Sequence, residues 1–99
     1  MEAQVQQHGI KQPQANEAEG VTGSVVFAKL EEQDGCCFYT GDELTFDNVS
    51  LEHTIPLCRE GRDVRSNITL VTKQIQYAKG RMTGEEFIEM CRAVVRTHG

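Results

Sequence analysis

Apolar and polar residues alternate along Val49–His53, and this period of two predicts a half-buried β-strand. The alternation places His53 on one face of the strand and Glu52 on the other. A second apolar run, Ile68–Val71, predicts another strand. The polar connection between the two strands is too long for a tight hairpin, so a side chain inside the loop must hold it. Asn67, directly before the second strand, is the natural candidate.

Three further stretches have the spacing and the end residues of helices. Ser24–Gln33 places apolar residues at helical intervals behind a capping serine, although its valine pair leaves a strand open. A short helix is predicted over Lys73–Lys79, capped by the preceding threonine and ended by a glycine. Thr83 and Glu86 form a capping box for a last helix that runs to about Arg96. The apolar stripe of this helix predicts packing on the core, through Phe87, Ile88, Cys91, Val94 and Val95.

Residues 1–23 show no periodicity and few apolar side chains, and they are rich in Gln, Ala, Glu and Gly. This composition predicts a disordered, acidic and Gln-rich tail. Residues 24–99 then form one folded domain with a small core. Two strands and three helices in that length give an α+β fold, with one helix before the strand pair and a packing helix at the end. A short β-type run is also expected at Cys36–Tyr39.

Charge is unevenly distributed along the chain. The net charge of −5 argues against a general nucleic-acid binder, but residues 1–51 hold nine of the 15 acidic side chains and only two of the ten basic ones. The second half is therefore mildly basic. Basic side chains cluster in the sequence after His53 and predict a local surface that can hold phosphates. They are Arg59, Arg62, Arg65, Lys73, Lys79 and Arg81.

An acid and a histidine stand side by side in front of a proline, in the sequence E-H-x-x-P at residues 52–56. Two amide side chains follow, at Asn67 and Gln76. Carboxylate and amide oxygens are hard ligands of the kind that Mg²⁺ takes. An imidazole can accept a proton from water near neutral pH. Together these side chains are what a metal-dependent hydrolytic site requires.

The order E-H-x-x-P, S-N-x-x-L and A-K-G, beginning at Glu52, Ser66 and Ala78, resembles the HNH nuclease family. The likeness extends over about Val26–Phe87. It implies a ββα-metal domain, in which a β-hairpin and a helix hold one divalent ion, Mg²⁺ or Mn²⁺. It also implies a DNA endonuclease of the small, stand-alone kind that is frequent in phage genomes.

The resemblance assigns a role to each polar residue of the pattern. His53 would be the general base, and Asn67 would fix the long loop and the base. Glu52, where Asp is commoner, and Gln76, where His or Asn is usual, would be the metal ligands. Because Glu52 and His53 lie on opposite faces of a regular strand, a twist or bulge at the strand end would have to bring both to one ion. The six basic side chains from Arg59 to Arg81 would contact DNA phosphates.

Many members of the HNH family also hold a structural zinc ion with two C-x-x-C pairs. The matching positions here are Cys37 with Thr40 and Thr72 with Ile75, so three of the four ligands are missing. The chain therefore resembles the zinc-free members, and no structural zinc is expected. The four cysteines have no other metal spacing and are expected to be reduced thiols.

The sequence also bears on location and partners. It has no apolar run long enough to span a bilayer and no signal-peptide segment, so a cytoplasmic location is expected, in a bacterium or a phage-infected host. DNA is the expected partner, membranes are not, and the N-terminal tail leaves a protein partner open. The alternative function is that of a catalytically degenerate HNH-fold protein that binds DNA or a protein. The net negative charge and the two altered ligands favour this alternative.

Overall fold

The computed structural model describes residues 19–99 and has an α+β architecture. In this part of the chain, a two-stranded antiparallel sheet is accompanied by three α-helices. The elements are helix α1 (Gly23–Glu32), strand β1 (Val49–His53), strand β2 (Ile68–Thr72), helix α2 (Lys73–Lys79) and helix α3 (Gly84–His98). Two short 3₁₀ turns lie in the connection between the strands, at Leu57–Arg59 and Arg65–Asn67. This arrangement is compatible with a ββα domain without being specific to it.

Both predicted strands are confirmed, and β2 continues one residue further than expected, to Thr72. The strands pair with Val49 opposite Thr72 and His53 opposite Ile68. All five residues of β2 are buried, so this strand lies at the centre of the core. The apolar core side chains in the described part of the chain are Cys37, Val64, Ile68, Leu70, Val71 and Phe87.

The free edge of β2 is covered by a side chain rather than by a third strand. The Gln33 side chain donates to Leu70 O at 2.9 Å and accepts from Leu70 N at 3.0 Å, and Phe38 N also donates to Leu70 O. The β-structure expected at Cys36–Tyr39 is reduced to a single bridge between Cys36 and Glu43. That prediction is wrong as a strand because Gln33 already satisfies the edge groups that a longer strand would need.

Helix α1 is confirmed as a helix, but its cap differs from the prediction. Thr22, not Ser24, is the N-cap, and its hydroxyl accepts from Val25 N at 3.4 Å. No residue of α1 is buried, and Phe27 is mostly exposed. The helix therefore lies against the sheet with a thin contact surface.

The caps predicted for the other two helices are confirmed. Thr72 accepts from Ile75 N at the start of α2, and both hydrogen bonds of the capping box join Thr83 and Glu86 at the start of α3. The start of α3 is fixed to the end of β1, because Gly84 N donates to Thr54 O at 3.0 Å.

Helix α3 packs on the core by its first turn alone. Gly84 and Phe87 are its buried residues, and the Phe87 ring meets Tyr39 edge to face, with centroids 5.3 Å apart. A Cβ at position 84 would lie 2.7 Å from the Tyr39 hydroxyl oxygen, so a larger residue would have to displace the Tyr39 side chain. The prediction that the whole apolar stripe packs on the core is wrong beyond Phe87, because no element in the described part of the chain covers the later turns.

The end of the predicted N-terminal tail belongs to the fold. Residues 1–18 lie outside the described residues. Glu19, however, forms an ion pair with Arg62, and Gly20 N donates to Asp63 O at 2.6 Å. Thr22 caps α1, so the boundary predicted after residue 23 is several residues too late. None of the helices between residues 19 and 99 has the length and apolar character needed to cross a bilayer.

Candidate functional site

Asn67 holds the connection between β1 and β2, as predicted. Its buried side chain accepts from Ile55 N at 2.9 Å and donates to Ile55 O at 3.0 Å and Arg62 O at 2.9 Å. The backbone carbonyl of Asn67 also accepts from Thr54 N at 2.9 Å. One amide side chain thus joins both ends of the loop, and all of its bonds go to backbone groups that would otherwise be buried without a partner.

The loop folds back on itself at Gly61. Gly61 N donates to Pro56 O at 2.9 Å, and a Cβ at this position would lie 1.8 Å from Ile55 O. Only glycine allows this approach of two backbones. Pro56 and Val64 are buried and anchor the two sides of the loop. The fold-back returns residues 62–64 to the end of β1, where His53 lies.

His53 pairs with Asp63, a residue that the sequence pattern does not assign to the site. The distance from His53 Nε2 to Asp63 Oδ1 is 2.8 Å. An ionised carboxylate only accepts hydrogen bonds, so this contact places the ring proton on Nε2 and leaves a lone pair on Nδ1. The His53 side chain is 19% exposed, which leaves the ring accessible from solvent.

Glu52 and Lys79 form a buried ion pair behind the histidine. Lys79 Nζ lies 2.7 Å from Glu52 Oε2 and 3.0 Å from His53 O, and the Lys79 side chain has no exposed surface. The prediction that Lys79 contacts DNA phosphate is therefore wrong. The physical reason is that burial of the Glu52 carboxylate requires a nearby opposite charge, and the last turn of α2 supplies it.

Gln76 is exposed on α2 and is bonded to β1. Its Oε1 accepts from Ser50 Oγ at 2.6 Å, and its Nε2 donates to Leu51 O at 3.3 Å. Ser50 and Glu52 share one face of β1, which is the face toward α2. Gln76 thus lies on the same side of the strand as Glu52, next to Ser50, which comes two residues before Glu52.

The two predicted metal ligands, as placed, do not fit a divalent ion. Carboxylate and amide oxygens have the right chemistry for Mg²⁺. Here Glu52 already holds the Lys79 ammonium, which would repel a second cation at the same oxygen, and the Gln76 oxygen holds the Ser50 hydroxyl. Among residues 19–99, no group of three or more His, Cys, Asp or Glu side chains is arranged to hold a metal ion.

The basic side chains of the loop are matched by acids. The pairs are Arg59 with Glu86, Arg62 with Glu19 and Arg65 with Glu32. The hydrogen bond from Arg59 is the main reason why the pKa of Glu86 lies below its usual range. Such exposed ion pairs are weak, so another anion can replace the carboxylate that pairs with each arginine. Lys73 and Arg81 are exposed and have no ion pair within residues 19–99.

Tyr39 is half-buried against Phe87 and lies close to the buried ion pair. Burial is the main cause that raises the pKa of its phenol, and the negative charge of Glu52 adds to the effect. Its hydroxyl oxygen is buried and has no hydrogen-bond partner among the described residues. Tyr39 therefore stays neutral and acts as a packing residue beneath α3.

We expect Asn67→Ala to lower the free energy of unfolding by about 2–4 kcal/mol, since three hydrogen bonds are lost and buried backbone groups of the loop lose their partner. Urea unfolding measures this directly. Asn48→Ala is a matched control, because Asn48 also bonds two backbone groups with its amide but in an exposed turn. Equal losses for the two variants would show that Asn67 has no special place in the loop.

The arrangement presents a partly exposed imidazole, oriented by a carboxylate, at the end of a strand and beside a loop held by an amide. An imidazole in this setting can accept a proton from a bound water molecule. Comparison with protein-family models and with the curated proteins finds no match for this chain.

Proposed function

We propose that this protein is an endonuclease that hydrolyses phosphodiester bonds in DNA, with His53 as the general base. The observation that carries the proposal is the 2.8 Å contact between His53 Nε2 and Asp63 Oδ1, on a loop that Asn67 bonds to the end of β1. A histidine with one nitrogen held by an acid has its other nitrogen available for a water molecule. The resemblance to the HNH family supports the same assignment.

In the proposed reaction, His53 Nδ1 removes a proton from a water molecule as its oxygen attacks the phosphorus atom. The bond from phosphorus to the leaving 3′ oxygen breaks, and that oxygen takes up a proton from solvent. Asp63 keeps the ring in the productive orientation and stabilises the imidazolium that forms. The 41% exposure of the Asp63 side chain weakens this electrostatic help compared with that of a buried acid.

DNA binding in this proposal depends on exposed cations. Lys73 and Arg81 can contact phosphates directly, and Arg59, Arg62 and Arg65 can exchange their carboxylate partners for phosphates. Lys79 is excluded from this role by its burial. The acidic residues of the first half keep the overall affinity for DNA low. Because the proposed contacts are made to phosphates, we expect DNA binding to fall steeply as the salt concentration rises.

The divalent ion implied by the resemblance, Mg²⁺ or Mn²⁺, stays part of the proposal. Because the Glu52 carboxylate holds Lys79 and the Gln76 oxygen holds Ser50, we assign no step of the reaction to the ion. Cutting of plasmid in the presence and absence of the ion decides whether the reaction requires it.

The test is incubation of supercoiled plasmid with the full chain in Mg²⁺, in Mn²⁺ and in EDTA. Conversion to nicked or linear DNA supports the proposal, and dependence on the ion decides whether the metal belongs to it. A His53→Ala preparation purified in the same way shows whether cutting comes from this protein. No cutting under any of these conditions, by a protein that still binds the plasmid, would remove the nuclease assignment.

Gln76 gives a prediction about the ion. If Glu52 and Gln76 exchange their present partners for the ion, their long side chains predict weak ion affinity and better use of Mn²⁺ than Mg²⁺. If Gln76 is a ligand, Gln76→Ala reduces cutting and leaves DNA binding nearly unchanged, while Gln76→Asn or Gln76→His retains or raises activity. Ser50→Ala frees the Gln76 oxygen and should lower the metal concentration that cutting requires. Plasmid cutting is measured against metal concentration for each variant.

Gln76→Ala protein that cuts as well as the parent, beside an inactive His53→Ala protein, would exclude Gln76 as a ligand. An unchanged metal requirement in Ser50→Ala would support the same conclusion.

A second candidate function is binding without catalysis, to DNA or to a protein. The observation that favours it is the internal pairing of both predicted ligands, Glu52 with Lys79 and Gln76 with Ser50. A protein partner through the N-terminal tail stays a prediction, because residues 1–18 lie outside the described residues. Plasmid binding without cutting in any metal separates this candidate from the nuclease.

A further inference from the structure

Helix α3 carries an apolar stripe that the described part of the chain does not cover. Ile88 is 38% exposed, Val94 is 55% exposed and Val95 is 63% exposed. Cys91, near the middle of the stripe, is also exposed. These residues recur at intervals of three and four along the helix, which is the spacing of one continuous face. A face of this kind at the end of a capped, well-formed helix is suited to packing against another helix.

The stripe forms one wall of an apolar groove of about 570 Å³. The other wall comes from the body of the protein, with Tyr39, Thr40 and Ile75. Phe87 lines the groove near the start of α3, and Arg92 and Arg96 line it further along the helix. A helix that packs against the stripe would therefore also touch the body of the protein.

A row of charges runs beside the stripe on one side of α3. Its members are Glu85, Glu89, Arg92 and Arg96, and their spacing of four, three and four residues keeps them on one line. The first two are acidic and the last two are basic, so the row changes sign at its middle. The ion pairs that Glu89 makes with Arg92 and Arg96 are exposed and long, at 3.6 and 3.5 Å, and do not fix these side chains.

We propose that the occupant of this face is a second copy of the same chain, with the two α3 helices antiparallel. In an antiparallel pair, the same flank of each helix faces its counterpart, in reverse order. Glu85 then lies opposite Arg96 of the second copy, and Glu89 lies opposite Arg92. In a parallel pair, this flank would face the other edge of the stripe, where α3 has Glu86 and Met90 and no Lys or Arg, so Glu85 would meet an acid instead of a base. The charge row thus selects both the occupant and the orientation.

The first test is the mass of the full chain in solution, measured by light scattering after size exclusion over a wide range of concentration. We expect a reversible dimer. Val95→Glu places a charge in the stripe and should raise the dimer dissociation constant by about tenfold or more. Ala93→Glu is the matched control, because it adds the same side chain to the exposed opposite side of α3 and should leave dimerisation nearly unchanged.

The second test addresses orientation. Glu85→Arg alone and Arg96→Glu alone each place like charges opposite each other in an antiparallel pair and should weaken the dimer by roughly two- to tenfold. An equimolar mixture of the two variants restores both opposite-charge contacts and should form the heterodimer in preference to either homodimer. Circular dichroism of each variant tests whether α3 is intact.

Three outcomes would overturn the proposal. A chain that stays monomeric at all concentrations has no self-association, and the face then belongs to another partner. A dimer equally affected by Val95→Glu and Ala93→Glu, or by neither, does not use the stripe. Failure of the mixed variants to recover the dimer excludes the antiparallel orientation. None of these measurements depends on nuclease activity.

Discussion

His53→Ala is expected to reduce plasmid cutting by about two to four orders of magnitude, which is the usual contribution of a general base. The variant loses the nitrogen that takes the proton from water, while the cations that hold phosphate are untouched. His53 lies at the end of β1 and is partly exposed, so the fold should survive the change. Cutting rates are compared at equal DNA occupancy, with thermal melting as the check on folding.

Asp63→Asn separates the role of the acid from that of the base. An amide in place of the carboxylate can donate a hydrogen bond to Nε2, which stabilises the wrong ring tautomer and puts the proton on Nδ1. Because Asp63 is partly exposed, we expect a loss in cutting of about ten- to a hundredfold, smaller than for a buried acid. Glu60→Gln is the matched control, since it removes one negative charge from the exposed surface of the same loop.

An unchanged rate in Asp63→Asn would show that the contact with His53 is structural only. An equal loss in Glu60→Gln and Asp63→Asn would attribute the effect to the charge of the loop rather than to the orientation of the ring. If His53→Ala cuts at the parent rate, His53 is not the general base, and the nuclease proposal loses its central residue.

Local sequence patterns were sufficient for most of the secondary structure. The alternation in β1, the threonine cap of α2 and the capping box of α3 each depend on residues close together in the chain, and all three are confirmed. Asn67 could also be predicted, because a long loop between paired strands needs an internal hydrogen-bond partner. These predictions do not require knowledge of the tertiary contacts between elements.

The failures concern contacts between distant elements. Helical spacing places Lys73, Gln76 and Lys79 on one face of α2. It does not show that the last turn of α2 lies over β1 and buries Lys79. The same limit hid the partner of His53. An acid in a loop that folds back to the strand end was the available indication of Asp63, but the fold-back itself depends on Gly61 and Asn67 acting together.

Lys79→Met is expected to give one of the largest losses of stability in the chain. It removes the ammonium and leaves the buried Glu52 carboxylate without its partner, a change that typically costs about 3–5 kcal/mol. The double variant Glu52→Leu with Lys79→Met replaces both charges by apolar groups and should recover much of that loss. Denaturant unfolding of the parent, single and double variants measures both effects. Arg65→Met is the control, because its exposed pair with Glu32 should contribute no more than about 1 kcal/mol.

The Lys79→Met variant also decides between the two cations that Glu52 can hold. With the ammonium gone, a divalent ion no longer meets repulsion at the carboxylate, and an ion that binds the folded state raises the melting temperature. If the Glu52 position is a metal site that Lys79 closes, Mn²⁺ should stabilise Lys79→Met and leave the parent and the double variant unchanged. Equal, small responses in all three proteins would show that Glu52 is a partner for lysine only. Any ion used in the reaction would then have to be held by other groups, the DNA phosphate among them.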